Sequence, residues 1–196
     1  MNLRWSIFYP HQTGAQADET GQDTAGDFFL VSVVITGDER DRIRREAERI
    51  EQATGRGILK WHKARFESRL AYLQAIISDP LFAGTAYFSH YRDTTLYTDL
   101  TVLVTAKTIL LKARGDYRAT IIVDGLRRSE VRGFASGLRQ LGIRVRKVRG
   151  IRDESDALIR LADNIAGFVR DAIEGKPYAQ PLFQEATKRG VIRRIK

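Results

Sequence analysis

Cysteine is absent from the 196 residues, so the chain has no disulfide scaffold, no thiolate metal site and no thiol redox motif. That fits a reducing, cytoplasmic setting. Long apolar runs are lacking as well. Residues 28–35 form the longest, which is strand-sized and already holds Ser32, and the run over 100–111 is cut by Lys107. Neither approaches the ~20 apolar residues that cross a bilayer, so no membrane association is expected. The first ten residues lack the apolar core and small-residue cleavage site of a secretory leader. The three histidines, His11, His62 and His90, show no metal-ligand spacing, and zinc is not expected. There is no glycine-rich phosphate loop, dinucleotide fingerprint or nucleophile elbow.

What is present is basic. Lys and Arg number 33 against 24 Asp and Glu, a net charge of +9, and such a surplus raises the local concentration of polyanions. Nucleic acid is the natural partner class, with a solvated basic surface as the plain alternative. At 43% hydrophobic residues the chain holds enough for one core, and its length suits a single domain.

Strand and helix signals alternate along the chain. Residues 3–9 could form a short strand that Pro10 ends, and 11–27, rich in Gly, Gln, Thr and Asp, read as loop. Residues 28–36 are the clearest strand, nearly continuous in apolar and β-branched side chains, which predicts burial on both faces. Asp38 is placed to cap a helix over 39–53, where Ile43, Ala47 and Ile50 make a narrow apolar stripe. Gly55-Arg-Gly breaks it. Helices are predicted over 66–78, from Thr94 or Thr95 to 113, over 129–141, and over 155–174. The last is strongly amphipathic through Leu158, Leu161, Ala162, Ile165 and Val169. Strands are predicted over 85–92, 118–124 and 144–150, the last basic at its exposed positions. A short amphipathic basic tail follows Pro177. The pattern is that of a layered α/β domain with a mixed sheet.

Carboxylates are the side chains best placed for chemistry. Asp124 closes an apolar strand and precedes Gly125. Ligands of α/β sheets sit beyond the carboxyl ends of parallel strands, although Asp-Gly is equally a turn signal. Asp18 and Glu19 are adjacent and repel unless solvated or bound to a cation; an exposed polar loop is their alternative reading. Asp156 and Asp163, nearly two helical turns apart, share a face lying mostly opposite the apolar stripe. That predicts a solvated face, with Asp163 at its margin because Ile159, Ala166 and Gly167 interrupt the polarity.

Four segments together resemble the bacterial family called domain of unknown function 3800, of the ribonuclease H-like superfamily. They are Asp18-Glu19-Thr20-Gly21 with the strand after it, Lys60-Trp-His-Lys, Ile121-Ile-Val-Asp124, and Ser155-Asp156-Ala-Leu-Ile-Arg-Leu-Ala-Asp163-Asn-Ile-Ala-Gly167. The last is the most specific match. The resemblance spans residues 15–175. Residues 1–14 are then an N-terminal extension, and 176–196 a basic tail packed on or trailing the domain. Implied are a five-stranded mixed sheet with helices on both faces and a convergence of Asp18, Asp124 and Asp163, with Glu19 and Asp156 as auxiliaries. The resemblance further implies Mg²⁺ or Mn²⁺ at those carboxylates and a metal-dependent nuclease activity on DNA or RNA. Arg127, Arg128, Arg144, Arg146, Lys147 and Arg149 would contact phosphates. The alternative is a catalytically incomplete nucleic-acid-binding or regulatory module, in a mobile-element or defence system as the family context suggests. Gly14-Ala-Gln-Ala, ahead of Asp18, is poor in strand formers, where the family carries an apolar first strand.

Overall fold

The computed structural model describes residues 11–20, 28–151 and 156–196. Within the first segment, side chains are described for 15–17. The strand expected over 3–9 lies outside the described residues.

The chain order is β1 (His11–Thr20), β2 (Phe29–Ile35), α1 (Arg40–Ala53), α2 (Phe66–Ser78), β3 (Ala86–Tyr91), α3 (Tyr97–Lys112), β4 (Tyr117–Asp124), α4 (Val131–Gln140), β5 (Val145–Ile151), α5 (Ala157–Ile173), α6 (Ala179–Lys188) and β6 (Ile192–Arg194). The sheet has six strands, in the order β5-β4-β1-β2-β3-β6. β1 and β2, and β2 and β3, pair antiparallel; β1–β4, β4–β5 and β3–β6 are parallel. The mixed sheet with helices on both faces is as expected, but the expected strand count was five. The sixth strand comes from the tail: Val191 and Ile192 are buried, and Ala86 donates its amide to Val191.

β2 is buried at all seven positions, as its continuous apolar run predicts. Its alternate side chains feed two cores. Leu30 and Val34 join α1, α2, α5 and α6 on one face, and Phe29, Val31, Val33 and Ile35 join α3 and α4 on the other. Fully burying each such side chain stabilises by about 1.5–3 kcal/mol.

β1 is the main correction to the sequence reading. Residues 11–20 form a central strand, through the expected 14/15 boundary, where a loop was expected. Ala15 and Ala17 are fully buried between neighbours on both sides. A strand held by two ladders and packed on both faces is fixed by tertiary contacts, which override weak β propensity. Asp38 is a smaller correction. It lies within a 3₁₀ turn, Gly37–Glu39, and Glu39 occupies the cap position of α1. Helix α3 likewise begins beyond the threonines, at Tyr97, with Thr94 Oγ1 accepting the Leu96 N–H at 3.2 Å.

Candidate active site

The carboxyl ends of β1, β4 and β5 meet at one end of the sheet. In the β1–β4 ladder Ala17 pairs with Val123, which makes Asp18 and Asp124 the next residue on each strand. Asp18 also pairs with Ser32 across to β2, and Asp124 with Ile151 across to β5. Ala119, Ile121 and Val123 point into the α3–α4 core, so by alternation Asp124 lies on the α5 face.

Past Asp124 the chain must turn sharply. Gly125 has φ +64° and donates its amide to the Ile151 carbonyl at 2.9 Å. The next residue crosses β5 at Gly150, where a Cβ would stand 1.8 Å from the Leu126 carbonyl oxygen. Two glycines therefore clear the chain from above Asp124.

Helix α5 crosses this face. Asp156 Oδ2 pairs with Arg40 at 3.0 Å near the Ile35 end of β2, and Arg170 lies 5.7 Å from the Phe28 ring near the other end. α5 thus runs antiparallel to β2, and Asp163, midway, comes to the height of Ser32 and hence of Asp18. Beside that height two buried polar groups, the Gln16 amide and Ser32 Oγ, have no hydrogen-bond partner among the described residues. Orphaned groups of this kind mark a place for water or an ion.

Asp163 is half-buried, contrary to a simple solvated face, and its environment is a strap formed by residues 55–65. Its Oδ2 accepts the Trp61 N–H at 3.1 Å. One turn on, Gly167 meets the Trp61 ring, and one further turn on, Asp171 Oδ2 accepts from Trp61 Nε1 at 3.0 Å. Arg56 is buried in the same strap and donates to the Leu59 carbonyl and to Asn164 Oδ1. Burial pulls its guanidinium down, while neighbouring Tyr72, Asp163 and Glu51 support its charge. Asp156 caps α5 by accepting the Leu158 N–H at 2.8 Å, besides its pair with Arg40. Of the candidate carboxylates, then, Asp18 and Asp124 come to neighbouring register positions. Asp163 shares their height and faces the strap, and Asp156 lies at the start of α5. Glu19 follows Asp18 on β1.

The basic residues lie along the length of β5 and past the end of β4. β5 is a sheet edge, and Lys147 and Arg149 pair with Thr120 and Ile122 of β4, which puts them on the face of Asp124. Arg127 and Arg128 follow the turn. Arg144, Arg146, Lys147, Arg149, Arg127 and Arg128 are all exposed, and Arg144 is paired with Asp116. Arg118, exposed on β4 and on the same face, extends the group. Sequence reasoning missed Arg118 and Ser32, for which strand alternation around Ile121 and Val31 was the available signal, and it missed Gln16, which lies on the strand read as loop.

Carboxylate, amide and hydroxyl oxygens are the ligand type a hard divalent cation prefers, and Asp124, Asp163, the Gln16 amide and Ser32 Oγ are of that type on the α5 face. Among the described residues, no group of three or more His, Cys, Asp or Glu is gathered closely enough to hold a metal.

No family model and no curated protein matches the chain. Solved structures do. A chain of the PCNA:RNase HII complex from Archaeoglobus fulgidus is similar over 92% of this chain and 91% of that one, with a TM-score of 0.53 and 18% identity. This is a ribonuclease H-like fold. Ribonuclease H2 from Pyrococcus horikoshii OT3 is similar at the same TM-score and identity, over 90% of this chain and 87% of that one. Among the described residues, no helix is long and apolar enough to cross a membrane.

Proposed function

We propose that the chain is a divalent-metal-dependent nuclease of the domain of unknown function 3800 family, cleaving phosphodiester bonds in DNA or RNA. One observation carries the reading: Asp18 and Asp124 occupy consecutive positions at the carboxyl ends of adjacent parallel strands, beside an exposed basic sheet face.

Asp18 and Asp124 are the residues that would hold Mg²⁺ or Mn²⁺, with Asp163 as a third carboxylate; Glu19 pairs with Val31 and by alternation falls on the opposite face. Asp163 already accepts one amide, and a carboxylate has about four acceptor sites, so that bond leaves it able to bind more. When bound, such ions lower the pKa of water and neutralise charge on the leaving oxygen. The protein's own work is placement. β1 and β4 fix two carboxylates at one spacing. The strap orients Asp163. Lys147, Arg149, Arg127, Arg128 and Arg118 hold the phosphate backbone across β4 and β5. Asp156 has a supporting role, fixing the start of α5 through Leu158 and Arg40. The solved proteins of similar fold are ribonucleases, which makes an RNA strand the first substrate to try.

The test is a cleavage assay with Mg²⁺ or Mn²⁺ on single- and double-stranded DNA and RNA and on RNA–DNA hybrid, comparing wild type with Asp124→Asn. Metal-dependent cleavage lost in the variant is the expected result. Folded wild-type protein that cleaves none of these substrates overturns the reading. The second reading is a binding module without cleavage. The structural engagement of Asp156 and Asp163 favours it, and salt-sensitive binding in a cleavage-silent protein is its signature.

A further inference from the structure

We propose a second anion site, shaped for a phosphate group, where the end of α3 meets β6. It is a hollow of about 440 Å³ lined by Lys112, Arg114, Arg193, Arg194 and Tyr87. It lies on the α3 face at the β6 edge, whereas Asp124 is on the α5 face toward the β5 edge. The two places are separated by the thickness of the sheet and by three strands, so the site does not depend on the nuclease reading.

Gly84 lines the hollow, and Gly190 lies next to it in the backbone ladder. Gly84 and Gly190 both have left-handed φ values, +70° and +72°, and the Gly84 N–H donates to the Gly190 carbonyl at 2.7 Å. A Cβ on Gly84 would stand 3.3 Å from Lys112 Nζ, and one on Gly190 3.3 Å from an Arg193 guanidinium nitrogen. The ammonium and the guanidinium therefore lie close over two turns that carry no side chain. The parallel β3–β6 register sets Arg193 beside Tyr87. Burial pushes the Tyr87 phenol up, against the pull of Arg193, so the hydroxyl stays protonated and able to donate at neutral pH.

Several helix arginines of this chain are held by nearby carboxylates: Arg42 by Glu39, Arg44 by Glu48, Arg170 by Glu174, Arg189 by Glu185. Among the described residues, none of the four cations around this hollow forms an ion pair. Asp38 and Glu39 line the adjoining hollow on the far side of Lys112 and Gly84. Lys112, Arg114 and Arg193 line this one hollow, and an oxyanion there would meet all three positive charges. An arginine fork spans two phosphate oxygens, and a lysine supplies a point charge to a third. The ligand class is a phosphate group, whether free or at the end or along the backbone of a nucleic acid.

Calorimetric titration with inorganic phosphate, in chloride buffer at constant ionic strength, tests this. Saturable binding is expected for wild type and for the distant control Arg139→Ala, an exposed position on α4. Lys112→Ala/Arg193→Ala should weaken it at least about tenfold, a change of roughly 1.4 kcal/mol. Arg114→Gln is the second variant, also expected to weaken binding, should the double variant fold poorly. Competition by a short 5′-phosphorylated oligonucleotide identifies nucleic acid as the source of the phosphate; phosphate binding without competition identifies a free phosphate compound. Equal affinity in wild type and the site variants, or no saturable heat with wild type, overturns the proposal.

Discussion

Gly167 leaves no room for even a methyl group. A Cβ there would lie 2.2 Å from Trp61 Cγ, so any substitution must push the indole off α5. Alanine ordinarily gains up to about 1 kcal/mol over glycine inside a helix. Here the steric clash reverses the sign, and Gly167→Ala is expected to destabilise by about 1–3 kcal/mol, with a lower urea midpoint and a changed tryptophan emission. Asp171, one turn on, gives a pH signature. Burial pushes its carboxyl up, but hydrogen bonds from Lys176, Tyr178 and Trp61 outweigh that and hold it below the usual carboxylate range. A carboxyl depressed on folding contributes stability that is complete above its unfolded pKa, about 4. That contribution is lost as pH falls through the folded value. Urea midpoints should therefore drop below pH 4 in wild type, and Asp171→Asn should flatten that drop while lowering stability at pH 7. At this level the sequence was half legible. The Leu-Ala-Asp163 motif singled out this helix position, but nothing in its spacing shows that Asp163 receives a backbone amide from Trp61, about a hundred residues earlier.

β6 is three residues long, yet it completes the sheet beyond β3 and brings Val191 and Ile192 into one core and Ile195 into the other. A chain ending at Gly190 loses three buried side chains and a ladder. An unfolding free energy lower by several kcal/mol is expected by denaturant titration, at about 1.5–3 kcal/mol for each buried side chain. Elements with a strong periodic pattern were readable before any coordinates: β2 by its unbroken apolar run, and α2 and α5 by their stripes. β6 was read only as an amphipathic tail because three residues are too few to carry a period. β1 was hidden for a different reason. Its positions are filled by Gly14, Ala15, Gln16 and Ala17, which are small or polar because helices and strands crowd it on every side. The candidate carboxylates share this split: Asp124 was legible as the end of an apolar strand, whereas Asp18 was legible only as half of an adjacent acidic pair in a loop and needed the β1–β2–β4 register to be placed.

The net charge of +9 is not spread evenly, since Arg118, Lys147 and Arg149 share the open face of β4 and β5 while many helix arginines are neutralised locally. Binding to a DNA duplex should then fall steeply with salt. Lys147→Ala/Arg149→Ala is expected to reduce the slope of log affinity against log salt by about 2, one per lost phosphate contact, as read by fluorescence anisotropy. An unchanged slope would move the nucleic acid away from this face. The order of the strands also bears on how the chain is made. β1 finds β2 soon after it in the sequence, but its other partner, β4, follows about a hundred residues later. During synthesis one side of β1 waits with its amides and carbonyls exposed, the situation in which nascent chains join edge to edge. A waiting strand rich in valine and isoleucine would invite such pairing; glycine, alanine and glutamine invite far less. The composition that makes β1 hard to recognise thus doubles as protection for an unfinished molecule.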